Sequence, residues 1–226
     1  MNWATAPAWA APAVALAYVQ ARIVVPRLRE PPDGVELGKT PYAALPTAPR
    51  LAVLAVLAAC AGLVTALAPV DQRGLWLVLG SSVLVLVWVD ALTTWIPAVL
   101  ARAAFAQMVL AVGLGAFWSP DPGWLALRAL AGAAAAFGLW WLLWRVTRGG
   151  LGYGDVRLAT LIGAVTGAHS STLWLGALLA GSLLGVVWGL ARRRAAPAPG
   201  TARGFAYGPA LWLGPYAAFA WLSAVS

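Results

Sequence analysis

Eight apolar runs separated by short polar links dominate this 226-residue chain and leave few folds open to it. They cover 8–25, 51–69, 74–90, 95–118, 124–146, 156–168, 172–191 and 205–224. Most have the length of about 17 to 25 residues that crosses a hydrocarbon core of about 30 Å. Only 10% of the residues are charged and 62% are hydrophobic, far from the roughly 25% charged residues of a soluble domain. The expected fold is all-α, a single polytopic membrane domain with about eight transmembrane helices. The run at 156–168, bounded by Asp155 and His169, is the shortest; it is expected to begin inside the glycine run before it or to sit in locally thinned bilayer.

Charge orients the spans, because basic residues in short loops stay on the cytoplasmic side. With the N-terminus outside, the cytoplasmic links hold Arg27, Arg29, Lys39, Arg50, Arg145, Arg148, Arg157, Arg192, Arg193, Arg194 and Arg203, and the opposite links hold Arg73. The net charge of +8 is thus a topology signal. Spread over short loops rather than gathered on one face, it does not point to nucleic acid. The partner it implies is the lipid bilayer.

Tryptophans near predicted span ends (Trp76, Trp95, Trp118, Trp124, Trp144, Trp174 and Trp221) read as interfacial anchors. Positive charge follows the first apolar run instead of preceding it, so that run is expected to be retained as an anchor. The lone Cys60 lies inside the second span, which excludes an intrachain disulfide and a cysteine-based metal site. The links at 26–50 and 191–204 are Pro-rich cytoplasmic loops, read as flexible and too short to fold alone. Gly181, Gly185 and Gly189 line one face of the seventh span and suit close packing against a neighbour.

Seven acidic residues remain to be placed. Glu30, Asp33 and Glu36 fall in the first cytoplasmic link, and Asp71 and Asp121 in outer links. Asp90 ends the third span in V-L-V-L-V-W-V-D, while Asp155 opens the sixth in G-G-L-G-Y-G-D. Two complete spans separate them, and an even number of crossings returns the chain to the same side, so the two carboxylates share one membrane depth. A capping role suits Asp155 at a helix N-terminus. Asp90 resists that reading, because a carboxylate at a helix C-terminus opposes the dipole and here follows seven apolar residues. The glycines let backbone pass close to a neighbour or a substrate strand. Two carboxylates sharing one proton can activate water and protonate a leaving amine, the chemistry of aspartic proteases. The helix ends predict an ionised Asp155 as general base, with Arg157 nearby, and a protonated Asp90.

On these residues the chain resembles the type IV prepilin peptidases, membrane aspartyl proteases of the GxGD class. Gly152-Tyr153-Gly154-Asp155 matches the signature, and Val156-Arg157-Leu158 its usual continuation. Asp90 followed by Thr94-Trp95-Ile96-Pro97 is similar to the family's first aspartate with its downstream Ile-Pro. Tyr207-Gly208-Pro209 with Leu213-Gly214 is similar to the family's C-terminal F-G-P and L-G element. The resemblance implies catalytic Asp90 and Asp155, and a site shaped by Gly152, Tyr153, Gly154, Pro97, Gly208 and Pro209. It implies a pilin-like precursor as substrate, cut at the cytoplasmic face after the glycine that ends its basic leader, so that subunits are released for pili or related secretion and DNA-uptake machines. Glu30, Asp33 and Glu36 are candidates to attract that leader, or plain solvated loop charges; an exposed pairing is worth about 1 kcal/mol or less.

One departure narrows the activity. Bifunctional members carry a cytoplasmic insert with two C-x-x-C pairs that bind zinc, and they methylate the new N-terminus. The matching link at 26–50 has no cysteine, so no metal or cofactor is expected and N-methyltransferase activity is argued against. Two alternatives remain. Presenilin and signal-peptide-peptidase proteases share GxGD and a P-A-L motif, which Pro209-Ala210-Leu211 spells. A small proton- or cation-coupled transporter would use the aspartates as carriers, and it predicts broken helices with carboxylates near the midplane.

Overall fold

Inside a bilayer no water is present to satisfy peptide N–H and C=O groups, so each apolar run closes its hydrogen bonds within itself as a helix. The computed structural model describes residues 6–30, 39–148, 151–195 and 206–225; Asp33, Glu36, Gly149, Gly150, Arg203 and most of the 191–204 link lie outside them. Among the described residues the chain is mainly helical and has no strand, with α1 (Ala6–Val19), α2 (Ala48–Leu67), α3 (Arg73–Val78), α4 (Leu84–Thr93), α5 (Ala98–Ala116), α6 (Pro122–Val146), α7 (Tyr153–His169), α8 (Ser171–Ala195) and α9 (Gly208–Val225). Six helical stretches are long and apolar enough to cross a membrane: Pro7–Arg27, Ala48–Leu67, Val70–Thr93, Ala98–Ala116, Pro122–Val146 and Ser171–Ala191. With α7 and α9 they make up the eight expected runs, an all-α polytopic membrane protein.

The third span is the centre of the bundle. Its apolar stretch is 83% buried, against 22–39% for the other five. It is continuous from α3 to α4 through a π-helical segment, Leu79–Val83. The wide turn falls on Gly80-Ser81-Ser82, where the Ser81 hydroxyl donates to Leu77 O at 2.6 Å, a side-chain bond of the kind that loosens a helical ladder. Gln20 Nε2 donates to Ser82 Oγ at 2.7 Å, and Ser82 donates on to Gln107 of α5. A polar side chain in this layer has no water to turn to, so these three satisfy one another.

Close helix crossings are built on glycine. A Cβ at Gly132 of α6 would meet Gly163 O at 2.3 Å, and one at Gly167 would meet the Gly132 Cα at 2.7 Å, so α6 and α7 touch backbone to backbone. In α8, a Cβ at Gly181 would meet the Leu211 Cα at 3.1 Å, and one at Gly185 would enter the Tyr207 ring. Gly181 and Gly185 therefore serve the packing role read for them, against α9 and the residue just before it.

Several sequence expectations shift. Helix α5 starts at Ala98 rather than 95, because Ile96 precedes proline and is pushed out of the helical region, leaving Pro97 as N-cap with φ −62° and ψ 127°. The third span runs on past Asp90 to Thr93. Trp118, Trp124 and Trp221 are exposed at helix ends, as anchors should be, but Trp76 is fully buried, edge-on to Tyr216 and Phe219. It is a core residue, because α3 lies inside the bundle where an indole cannot reach the interface. The described parts of the 26–50 link, residues 26–30 and 39–50, pack onto the bundle. Tyr42 and Leu45 bury beside Ala21 and Val25, and Glu30 Oε1 accepts the Tyr42 N–H at 2.5 Å.

Candidate active site

Asp90 stands one turn before the end of α4, and the chain has to stop that helix without uncovering the carboxylate. It does so with Thr94, which takes the left-handed conformation at φ 61° and donates its N–H to Asp90 O at 2.6 Å. The Thr93 hydroxyl donates to Val89 O at 2.8 Å and also accepts the Trp95 N–H at 3.2 Å. The turn ends on Ile96-Pro97, where α5 departs. Asp90 itself is 5% exposed. Its Oδ2 accepts the Gly208 N–H at 3.1 Å, across 118 residues of sequence.

Asp155 is the third residue after the Gly152 N-cap of α7, and its N–H donates to Gly152 O at 3.0 Å. Its carboxylate reaches back to the Gly152 backbone, the arrangement in which an acidic side chain at the third helical position caps the N-terminus. The G-x-G-D spacing thus has a local cause, since three residues is the interval that brings this side chain back onto the cap. Asp155 is 8% exposed, and its charge and that of Asp90 act on each other. Two buried carboxylates from helices far apart in sequence lie at the same end of the bundle, where the start of α7 at Gly154 packs on Ile96, just past the end of α4.

The glycines around them hold space. A Cβ at Gly208 would lie 2.6 Å from Asp90 Oδ2, and one at Gly154 3.0 Å from the Ile96 Cβ. One at Gly152 would lie 3.4 Å from Asp155 Oδ2. Gly154 therefore lets the start of α7 lie directly on the Ile96-Pro97 turn, and Gly208 lets the start of α9 donate to Asp90. Pro97 and Pro209 act at one remove, fixing the starts of α5 and α9, where a missing N–H costs nothing. Tyr153 lies to the side, 39% exposed, edge-on to Trp144 at 5.3 Å and beneath the Arg157 guanidinium at 5.0 Å.

Lys39 of the first link was not singled out from sequence, yet it reaches this site. Its Nζ donates to Thr94 Oγ1 at 2.7 Å and lies 4.1 Å from the centre of the Trp95 ring. Burial holds its ammonium below the usual lysine range, against the pull of the Asp90 carboxylate. Nothing local in the sequence announces the contact, since Lys39 and Thr94 are 55 residues apart. Glu30, offered above as an attractor for a basic leader, is engaged by the Tyr42 N–H.

Both carboxylates sit near helix ends, three residues before the end of α4 and two after the start of α7, rather than in mid-helix. That placement disfavours a transport role, which needs carriers near the midplane. Among the described residues no three His, Cys, Asp or Glu side chains converge to hold a metal. The sequence profile of the type IV leader peptidase family matches residues 77–190, half of the chain. No curated protein and no solved structure matches it.

Proposed function

Because the chain belongs to the type IV leader peptidase family, we propose that it is an aspartic endopeptidase that cuts the basic leader from pilin-like precursors at the cytoplasmic face of the inner membrane, using Asp90 and Asp155. The observation that supports this reading is the burial of both carboxylates at the same end of the bundle, with the start of α7 packed on the Ile96 turn that follows Asp90. One of them, ionised, removes a proton from water as its oxygen adds to the scissile carbonyl carbon; the other, protonated, donates to the carbonyl oxygen. The tetrahedral intermediate then collapses as the C–N bond breaks, the amine leaves with a proton from the first carboxyl, and the second recovers its own. Water is consumed and no group stays on the enzyme.

The substrate fits the setting. A pilin precursor holds an apolar helix in the bilayer and offers its leader at the membrane edge, where these helix ends lie. The N-terminus is read as outside and the site as cytoplasmic, which accords with the excess of basic residues at the site end. The residues that bind zinc in bifunctional members are missing from this chain, so cleavage without N-methylation is the activity proposed.

The test is co-expression with a precursor that carries a basic leader, a glycine and an apolar run of about 20 residues. Asp90→Asn and Asp155→Asn should each abolish the leader-dependent gel shift, while membrane insertion is unchanged because topology follows hydropathy and loop charge. Full cleavage by either variant would refute the pair.

A further inference from the structure

A membrane enzyme with two buried carboxylates sharing one proton carries one negative charge at rest, and an isolated buried charge is expensive unless something of opposite sign faces it. We propose that Lys39 is the counter-ion of the Asp90–Asp155 pair, placing the resting negative charge on Asp90 and leaving the proton on Asp155. This rests on the reading of the two aspartates as the reacting pair, and it reverses the order that helix dipoles alone predict.

The surroundings of each carboxylate carry the argument. Asp90 has the Gly208 N–H at 3.1 Å from α9 and the Lys39 charge from the first link. Asp155 has the Gly152 backbone and, across the site, the like charge of Asp90. Arg157, the cation nearest Asp155 in sequence, lies over the Tyr153 ring at 5.0 Å. Of the other groups at this end, Arg50 at the start of α2 donates to Ala44 O at 3.4 Å, Glu30 holds the Tyr42 N–H, and the Tyr207 hydroxyl donates to Ser182 O at 3.4 Å. Lys39 is tied to Thr94, whose own N–H closes on Asp90 O at 2.6 Å, so its ammonium is held at the turn that carries Asp90.

Its position is fixed rather than incidental. One N–H of the ammonium is tied to Thr94 Oγ1, and the charge rests on the Trp95 face. Two residues on, Pro41 leads into a short 3-10 turn, Tyr42–Ala44, whose Tyr42 is buried. Thr94 adds a second sign of purpose. A β-branched residue at φ 61° is strained, and the left-handed position suits glycine. Threonine there supplies the hydroxyl that holds Lys39 beside the turn closing on Asp90. Lys39 is thus a positioning residue: it sets which carboxylate is ionised without itself touching the reacting atoms.

Infrared titration of the purified protein in lipid nanodiscs tests this, with Asp90→Asn and Asp155→Asn used to assign the two carboxyl bands. Loss of the cation disfavours ionised Asp90, so Lys39→Met should raise the pH at which the Asp90 band disappears by about one unit or more, tenfold in proton affinity. Lys39→Arg should restore it. Thr94→Gly, whose backbone suits φ 61°, should move it the same way by less, and decides the matter if Lys39→Met fails to fold by its melting curve. In the cleavage assay the acid limb of kcat/KM should move upward with the band. An Asp90 band unmoved in a folded Lys39→Met or Thr94→Gly protein, or a shift confined to Asp155, overturns the proposal. The titration needs no turnover, so an active wild-type enzyme with an unmoved band sinks the counter-ion alone, whereas failure of the wild type to cut any leader sinks the peptidase reading.

Discussion

Replacing Gly208 by alanine adds one methyl group at the closest approach in the site. The new Cβ would lie 2.6 Å from Asp90 Oδ2 and at an ordinary 3.4 Å from Leu158 Cδ2, so the carboxylate has to move and the leucine does not. To reach van der Waals distance the oxygen must retreat by about 0.8 Å, which takes the 3.1 Å bond from the Gly208 N–H out of hydrogen-bonding range. Two independent scales give the size of the effect. A hydrogen bond to a charged group is worth about 1.5–3 kcal/mol. A misplacement of about 1 Å in a reacting group costs roughly 100-fold in rate, or about 2.7 kcal/mol. Gly208→Ala should therefore slow leader cleavage by roughly 30- to 100-fold, with a melting temperature close to wild type because the displaced atom is the free end of a side chain. Single-turnover cleavage of a purified precursor, with the melt run alongside, measures both quantities. Cleavage within about threefold of wild type would refute the assignment of Gly208 to the Asp90 oxygen; a collapsed melt would show that the glycine serves packing instead.

Packing and metal dependence are open to simpler tests. Gly132→Ala places a methyl 2.3 Å from Gly163 O, backbone against backbone, so α6 and α7 have to separate; overpacking of this kind costs about 1–3 kcal/mol and should lower the melting temperature in detergent. Chelators should leave cleavage unaffected and metal analysis should find no stoichiometric zinc, since structural zinc takes four ligands of the cysteine and histidine type; activity lost on chelation and regained with zinc would contradict this.

Hydropathy made the helices legible because apolar length is read directly by a bilayer, and all eight runs are helical. The placement of Asp90 and Asp155 at one end was expected for a topological reason: an even number of crossings between them returns the chain to a common depth. The tight approaches at Gly154 and Gly208 fall on positions that the resemblance marked, whereas a Cβ at Gly152 would make only ordinary contact, and contacts as far apart as Gly208 with Asp90 have no local signature. Trp76 misled because position along a span does not reveal whether that span lies at the centre or the rim of the bundle. Lys39 was hidden for a similar reason. In a polar link its charge looks like a topology signal, and only the burial of Tyr42 and Leu45, which folds the link back, brings it to Thr94. The resting protonation order expected from helix dipoles weighs each carboxyl against its own helix, and the infrared titration sets it against the order proposed from Gly208 and Lys39, which reach Asp90 from other elements.

Helix α7, which covers the shortest of the eight apolar runs, governs how the protein meets its membrane. At 17 residues α7 is about 25 Å long, less than a hydrocarbon core of about 30 Å, and twelve of its residues are buried against protein. Its height is fixed by the glycine contacts with α6, a helix of 25 residues that spans with length to spare. Asp155 is thus held at a level set by interlocking backbones to within the width of a methyl group, not by the lipids around it. A bilayer that thickens or thins slides along the outer helices while Asp155 stays where α6 puts it, so under the proposed function the cleavage point would be measured from the protein's own frame.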